Sequence, residues 1–144
     1  MDVEEVKKKI NEDRERLEAS FVFCLYRNPA LYDDYKNLND NTLITTDAKF
    51  YYLLGKALRD QGLNTIDNLS VDNFLATKPE IKKRYDDYGG WKVIEELKNL
   101  TNEDNVAAYF DQINKCNYLI NVCEKYTKVF DNIPNLKKLS AEER

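Results

Sequence analysis

Apolar residues recur at helical spacing along most of this chain, and their densest run lies in its last third. Trp91, Ile94, Leu97 and Leu100 fall on one helix face. Val106, Phe110, Ile113, Ile120 and Cys123 form a seam broken only near Asn117, and a second row at Tyr109, Cys116, Leu119 and Tyr126 widens it. A strip this broad has to be covered by another element or by another chain. Between the two patterns stands Thr101-Asn102-Glu103-Asp104, which has the form of a helix start: an oxygen that accepts from an amide one turn on, then acids at the positive helix end. Upstream, Gly89 and Gly90 stand together, and adjacent glycines mark a tight structural turn.

The earlier pattern is thinner at first. From Met1 to Leu17 only Val3, Val6, Ile10 and Leu17 interrupt the charges, predicting an exposed helix or one that leans on a partner. Phe21 to Tyr26 is apolar on nearly every side. By length and β-propensity it also fits a buried strand, but it continues a helical register and no strand partner is visible, so a core helix is expected. Asn28-Pro29 ends it, because proline pushes its predecessor out of the helical region. A short turn anchored by Leu31, Tyr32 and Tyr35 follows, then a polar stretch tethered by Leu43 and Ile44. Thr46 or Asp47 caps a helix over 48–61 with an apolar face at Phe50, Leu53, Leu54, Ala57 and Leu58, closed by Gly62. Ser70-x-x-Asn73 opens another helix, and Pro79 begins a short one with Ile81 and Tyr85 inward. Pro134 stops the long helix, and Ser140-Ala-Glu-Glu reads as one more helix start, as expected of a piece of something longer.

The expected fold is therefore all-α: a compact bundle of short helices followed by a long helix or helical hairpin. The domain reading is a charged helical extension over 1–17, a globular helical subdomain over 18–104, the long helix or hairpin over 105–134, and a trailing segment over 135–144. The 144 residues are 42% apolar, enough for one real core. Net charge is −4 with no continuous basic stripe, which argues against tight nonspecific nucleic-acid binding by this chain alone. Nothing resembles a signal peptide, and no apolar run approaches the roughly 20 residues that span a bilayer. Three cysteines, an odd count, read as reduced thiols in a cytoplasmic protein, with Cys116 and Cys123 as small apolar groups on one helix face.

Chemistry is sparse. The chain has no histidine, which removes the commonest general base and the commonest zinc ligand. No C-x-x-C occurs, and none of Gly55, Gly62, Gly89 and Gly90 fits a phosphate-binding loop. Asp33-Asp34 and Asp86-Asp87 are adjacent pairs that diverge on a helix, a poor start for paired-carboxylate catalysis. Ten tyrosines fall mostly at helix-face spacing, which favours core or interface over base stacking. The expectation is a chain without catalytic, cofactor or metal residues.

Taken in order, several blocks resemble the N-terminal domain of DnaB-type replicative helicases. Glu18 to Tyr32, E-A-S-F-V-F-C-L-Y-R-N-P-A-L-Y, looks like that domain's opening helix and proline turn. Phe50 to Gly62 resembles its second helix, Ile66 to Leu75 the lead into a third, and Gly89-Gly90-Trp91 with Ile94 and Leu97 its double-glycine corner. Asn105-Val106-Ala107-Ala108-Tyr109 resembles the start of its helical hairpin, so the likeness covers roughly residues 18 to 128. The long charged extension and Pro134, where the second hairpin helix should lie, depart from the pattern, and the divergence looks phage-like.

The resemblance implies a non-catalytic collar domain of a DNA replication helicase. Such domains self-associate through their hairpins into dimers, three of which crown the hexamer, and they dock primase or a helicase loader. Residues 135–144 would then begin a linker to an ATPase domain, which in the parent protein would carry ATP and Mg and meet single-stranded DNA in the ring. Val106, Tyr109, Phe110, Ile113 and Ile120 are the expected interface or burial positions. Two alternatives stay open: the helicase-binding domain of a primase, and a free-standing phage loader or regulator. The setting is cytoplasmic, in a bacterial host if phage-encoded, with no membrane partner.

Overall fold

The computed structural model describes residues 2–39 and 41–132, with only the backbone for 126–132. The trailing segment over 135–144, the helix start at Ser140 and the stop at Pro134 lie outside the described residues. Six α-helices and two 3-10 turns make up the described fold, with no strand among them. The helices are α1 (Val3–Arg27), α2 (Thr46–Asp60), α3 (Asn68–Leu75), α4 (Pro79–Asp87), α5 (Gly90–Leu100) and α6 (Val106–Asn132). The 3-10 turns are Pro29–Asp33 and Glu103–Asn105.

The central element is α1, and its most extensive contacts are with α6. It runs unbroken through residues 17 and 18, so the charged extension and the core run are one helix instead of two units. Asp2 starts it by accepting from the Glu5 amide, and Asn28 before Pro29 ends it. Its second half, Phe21 to Tyr26, is buried on every side because α2, α5 and α6 surround it. Phe21 packs at 5.5 Å from Phe110 and at 5.1 Å from Tyr35, joining α1, α6 and the segment after the first 3-10 turn in one aromatic cluster. Further along, Leu17 and Asp13 face Cys116 and Leu119, so α1 and α6 run antiparallel. The two long helices thus pair antiparallel within the protomer, and α6 continues past Tyr126 to Asn132 as one helix.

Two glycines fix the packing. Gly89 has φ +114°, and a Cβ there would run into the Val93 side chain, so the corner before α5 requires glycine. Gly55 is a close-approach site within α2. A Cβ there would stand 2.7 Å from Tyr26 Cε1 and 2.8 Å from Tyr32 Cζ, against the rings whose hydroxyls donate to the carbonyls of Tyr51 and Tyr52. Other details differ from the sequence reading. Asp67, and not Ser70, caps α3, its carboxylate accepting from the Ser70 amide at 2.7 Å. Thr101 closes α5, and α6 starts only after the turn at Glu103–Asn105. Ile81, placed inward by periodicity, is exposed, and so is Leu100 at the end of the α5 face.

Gly55→Ala is expected to lower stability by about 1–3 kcal/mol through overpacking against Tyr26 and Tyr32. The urea unfolding midpoint measures it; an unchanged midpoint would show that the rings move aside freely.

Candidate interaction surfaces

The five residues expected at an interface divide once α1 is in place. Val106, Ile113 and Ile120 are buried inside the protomer, and Tyr109 and Phe110 are half-buried against its core. The physical reason is that α1 lies along the seam, so Val106, Ile113 and Ile120 are covered within the protomer while Tyr109 and Phe110 keep part of their surface. What α6 leaves open is its outer edge. Tyr118 is 69% exposed, Leu119 46% and Val122 45%, with Val122 one turn beyond the other two. Leu119 belongs to the second row seen in the sequence. Tyr118 and Val122 had no pattern to single them out, because burial by α1 decides which row stays wet.

A second surface lies on α2, α3 and α4. Leu53 is 60% exposed and Ile44 and Ile81 are also exposed, around a groove of about 530 Å³. Periodicity put Leu53 on the core face of α2, but that face is set by Phe50, Tyr51, Leu54 and Leu58, and Leu53 falls at its margin.

Between the two surfaces sits a buried charged cluster that the sequence reading passed over. The Glu18 carboxylate, fully buried, accepts from Arg14 Nε at 3.0 Å, Ile44 N at 2.8 Å, Thr45 N at 3.0 Å and Thr45 Oγ1 at 3.1 Å. Arg14 donates onward to the Asn41 carbonyl at 3.2 Å, and Asn117 of α6 donates to the Thr42 carbonyl at 3.3 Å. The loop before α2 is therefore clamped by both long helices. An acid and a base four apart on a charged helix look like a solvated pair in sequence, and only the loop's placement turns them into a buried one.

Chemistry is muted elsewhere. Asp33 is exposed and bound by Arg59 at 3.0 Å, which holds its carboxyl below the usual range, and Asp86 pairs with Lys82 at 3.6 Å. Both adjacent-carboxylate pairs thus sit in solvent. Gly89 and Gly90 form the corner before α5, as a structural turn. Among the described residues, no group of three His, Cys, Asp or Glu side chains could hold a metal, and no helix is long and apolar enough to cross a membrane. Cys24 is buried, its thiol donating to the Asn102 carbonyl at 3.4 Å, and burial pushes it up to about 11. Cys116 is only partly covered, and burial also raises its thiol. Burial raises Tyr26 and Tyr32 well above the ordinary phenol range and Tyr51 to about 12.

Two outcomes follow. Glu18→Ala leaves Arg14 and two amides without their acceptor, and is expected to cost about 3–5 kcal/mol in urea unfolding, with Glu18→Asp between it and the parent. The second concerns alkaline pH. An unfolded thiol ionises near 9.0, while folded Cys24 keeps its proton to about 11. The folded state then holds more protons, so its stability is full below pH 9 and falls as pH rises through that window; the raised tyrosines extend the fall upward. Unfolding midpoints compared at about pH 8 and about pH 10.5 check the sign. A higher midpoint at the alkaline pH would contradict it. No family model matches the chain, and no similar curated protein or solved structure was found, so its function is argued from these surfaces.

Proposed function

We propose that this chain is a non-catalytic assembly and docking module, acting as the N-terminal collar domain of a phage-like, DnaB-type replicative helicase. In this reading protomers pair along α6 in the cytoplasm, the paired domains receive primase or a loader, and ATP, Mg and single-stranded DNA belong to a motor domain elsewhere in the parent protein. The observation that carries it is the uncovered edge of α6 at Tyr118, Leu119 and Val122. This strip is flanked by Asp111 and Lys115, which pair at 3.2 Å, and by Lys125, all exposed. A border whose acid is already paired with a base lets two copies meet about a two-fold axis with little like-charge repulsion. The ordered blocks that resemble the helicase family, and the all-helical fold, support the same reading.

Pairing is now assigned to the outer row, not to the buried seam, and the two make opposite predictions. The double substitution Leu119→Asp and Val122→Asp is expected to leave the unfolding midpoint unchanged and shift a sedimenting dimer to monomer. Ile113→Asp is expected to unfold the protomer instead, since it buries a charge at a fully covered position. A wild-type chain that stays monomeric at high concentration would refute pairing. Co-purification with full-length primase and with an intact helicase ring tests the family reading. Binding to primase supports a collar; binding to the ring alone would replace it with a primase end or a loader.

A further inference from the structure

The groove on α2, α3 and α4 is apolar along its floor and basic along its rim. Ile44, Leu53, Phe74 and Ile81 supply the floor and walls, while Lys49 and Arg84 edge it. A smaller hollow adjoins it across Leu53, where Lys36 and Lys56 join Lys49. Among the described residues, no Asp or Glu lines either depression, although the whole chain carries a net charge of −4. The cations are also prearranged. The Arg84 guanidinium lies 5.2 Å from the centre of the Phe50 ring, and the Lys78 ammonium 4.1 Å from that of Phe74. Among the described residues, no carboxylate lies within ion-pair distance of Lys49, Lys56 or Arg84.

We propose that this groove is the docking site for an acidic amphipathic helix of another protein. A helix laid into an apolar channel places anchors at i, i+3 or i+4, and i+7, and its flanks then face the rims. Here those rims are basic, so the flanks should carry Glu or Asp. A second copy of this chain is a poor occupant through the exposed strip on α6, because Asp111, the acid beside it, is already paired with Lys115 while Lys125 would face the basic rim. Single-stranded nucleic acid is disfavoured by the aliphatic floor. Base stacking needs open ring faces, and Phe50 is buried under Arg84 while Lys78 lies over Phe74. The proposal is independent of pairing along α6, since no groove residue belongs to that helix.

The test uses the full chain and three fluorescent probes in anisotropy titrations. The first is a synthetic helix of about 15 residues with leucine anchors and glutamate flanks. The second is the same helix with lysine flanks, and the third is a single-stranded oligothymidine. The glutamate helix is expected to saturate, with the lysine helix and the oligothymidine at least about tenfold weaker. Lys49→Glu and Leu53→Asp, both at exposed positions, are each expected to weaken it about tenfold with the unfolding midpoint unchanged. The variant Lys49→Glu with Lys56→Glu should gain affinity for the lysine helix, a reversal that damage to the fold would not produce. Equal binding of both helices, preference for the oligothymidine, no saturation by the glutamate helix, or no charge reversal would each overturn the proposal. The α6 variant Leu119→Asp with Val122→Asp should bind the glutamate helix as the parent does, so failure of pairing and failure of docking read out separately.

Discussion

The Glu18 carboxylate holds together parts of the chain that have no other polar reason to meet. It lies on α1, fully buried, and its acceptors are spent on Arg14 from its own helix and on the backbone and hydroxyl of the segment that leads into α2. A buried ion pair of this kind adds little net stability relative to an apolar substitute, because desolvation offsets attraction. What it does is fix geometry. The segment 41–45 is irregular and has few apolar anchors, with Leu43 the main buried one. Without hydrogen bonds from both long helices it would have many ways to lie. With them, α2 starts at one place, and Ile44, Thr46 and Lys49 take their positions around the groove.

The α1–α6 pair decides what else remains exposed. Antiparallel packing consumes the broad seam of α6 and the apolar second half of α1, and fully burying each such side chain contributes roughly 1.5–3 kcal/mol. Arg27 adds a tie at the far end, its guanidinium donating to the Thr101 carbonyl at the close of α5, where a cation also suits the negative helix end. Once these contacts are made, no core face remains to cover Leu119 and Val122, or Leu53 and Ile81. Exposed apolar residues scattered singly are ordinary. These fall in two groups, each with its own charge border, one mixed and one basic, and that difference in border is why the two surfaces are assigned different occupants.

Much of the fold was legible in the sequence because each helix carries a local signal. Pro29 and Pro79 stand at first-turn positions, Gly62 and Gly89 have positive φ where a chain must turn, and the core run at Phe21 to Tyr26 is too apolar to be anywhere but inside. Less was legible of the surfaces. Periodicity says that Val106, Ile113 and Leu119 lie on an apolar helix, but not which of them another helix will cover, and the covering helix here comes from the other end of the chain. The Glu18 clamp was invisible for the same reason: its charge-neutralising partner is local, but its amide donors are on a loop whose position depends on the whole fold.

The clamp and the groove are therefore linked physically. Glu18 sets the path of Ile44 and Thr45, and Ile44 is one wall of the apolar channel. A ligand that binds the ordered channel and not the unfolded chain must stabilise the ordered segment by the same free energy that the segment's ordering contributes to binding. Loss of the carboxylate would then weaken docking at a distance, through a floor that is no longer held and not through any lost contact with the ligand. A rigid, charge-fixed floor beneath an exposed basic rim is what a site needs if it is to select its partner by flank charge, because a mobile wall would let apolar anchors settle in several registers and blur the electrostatic match.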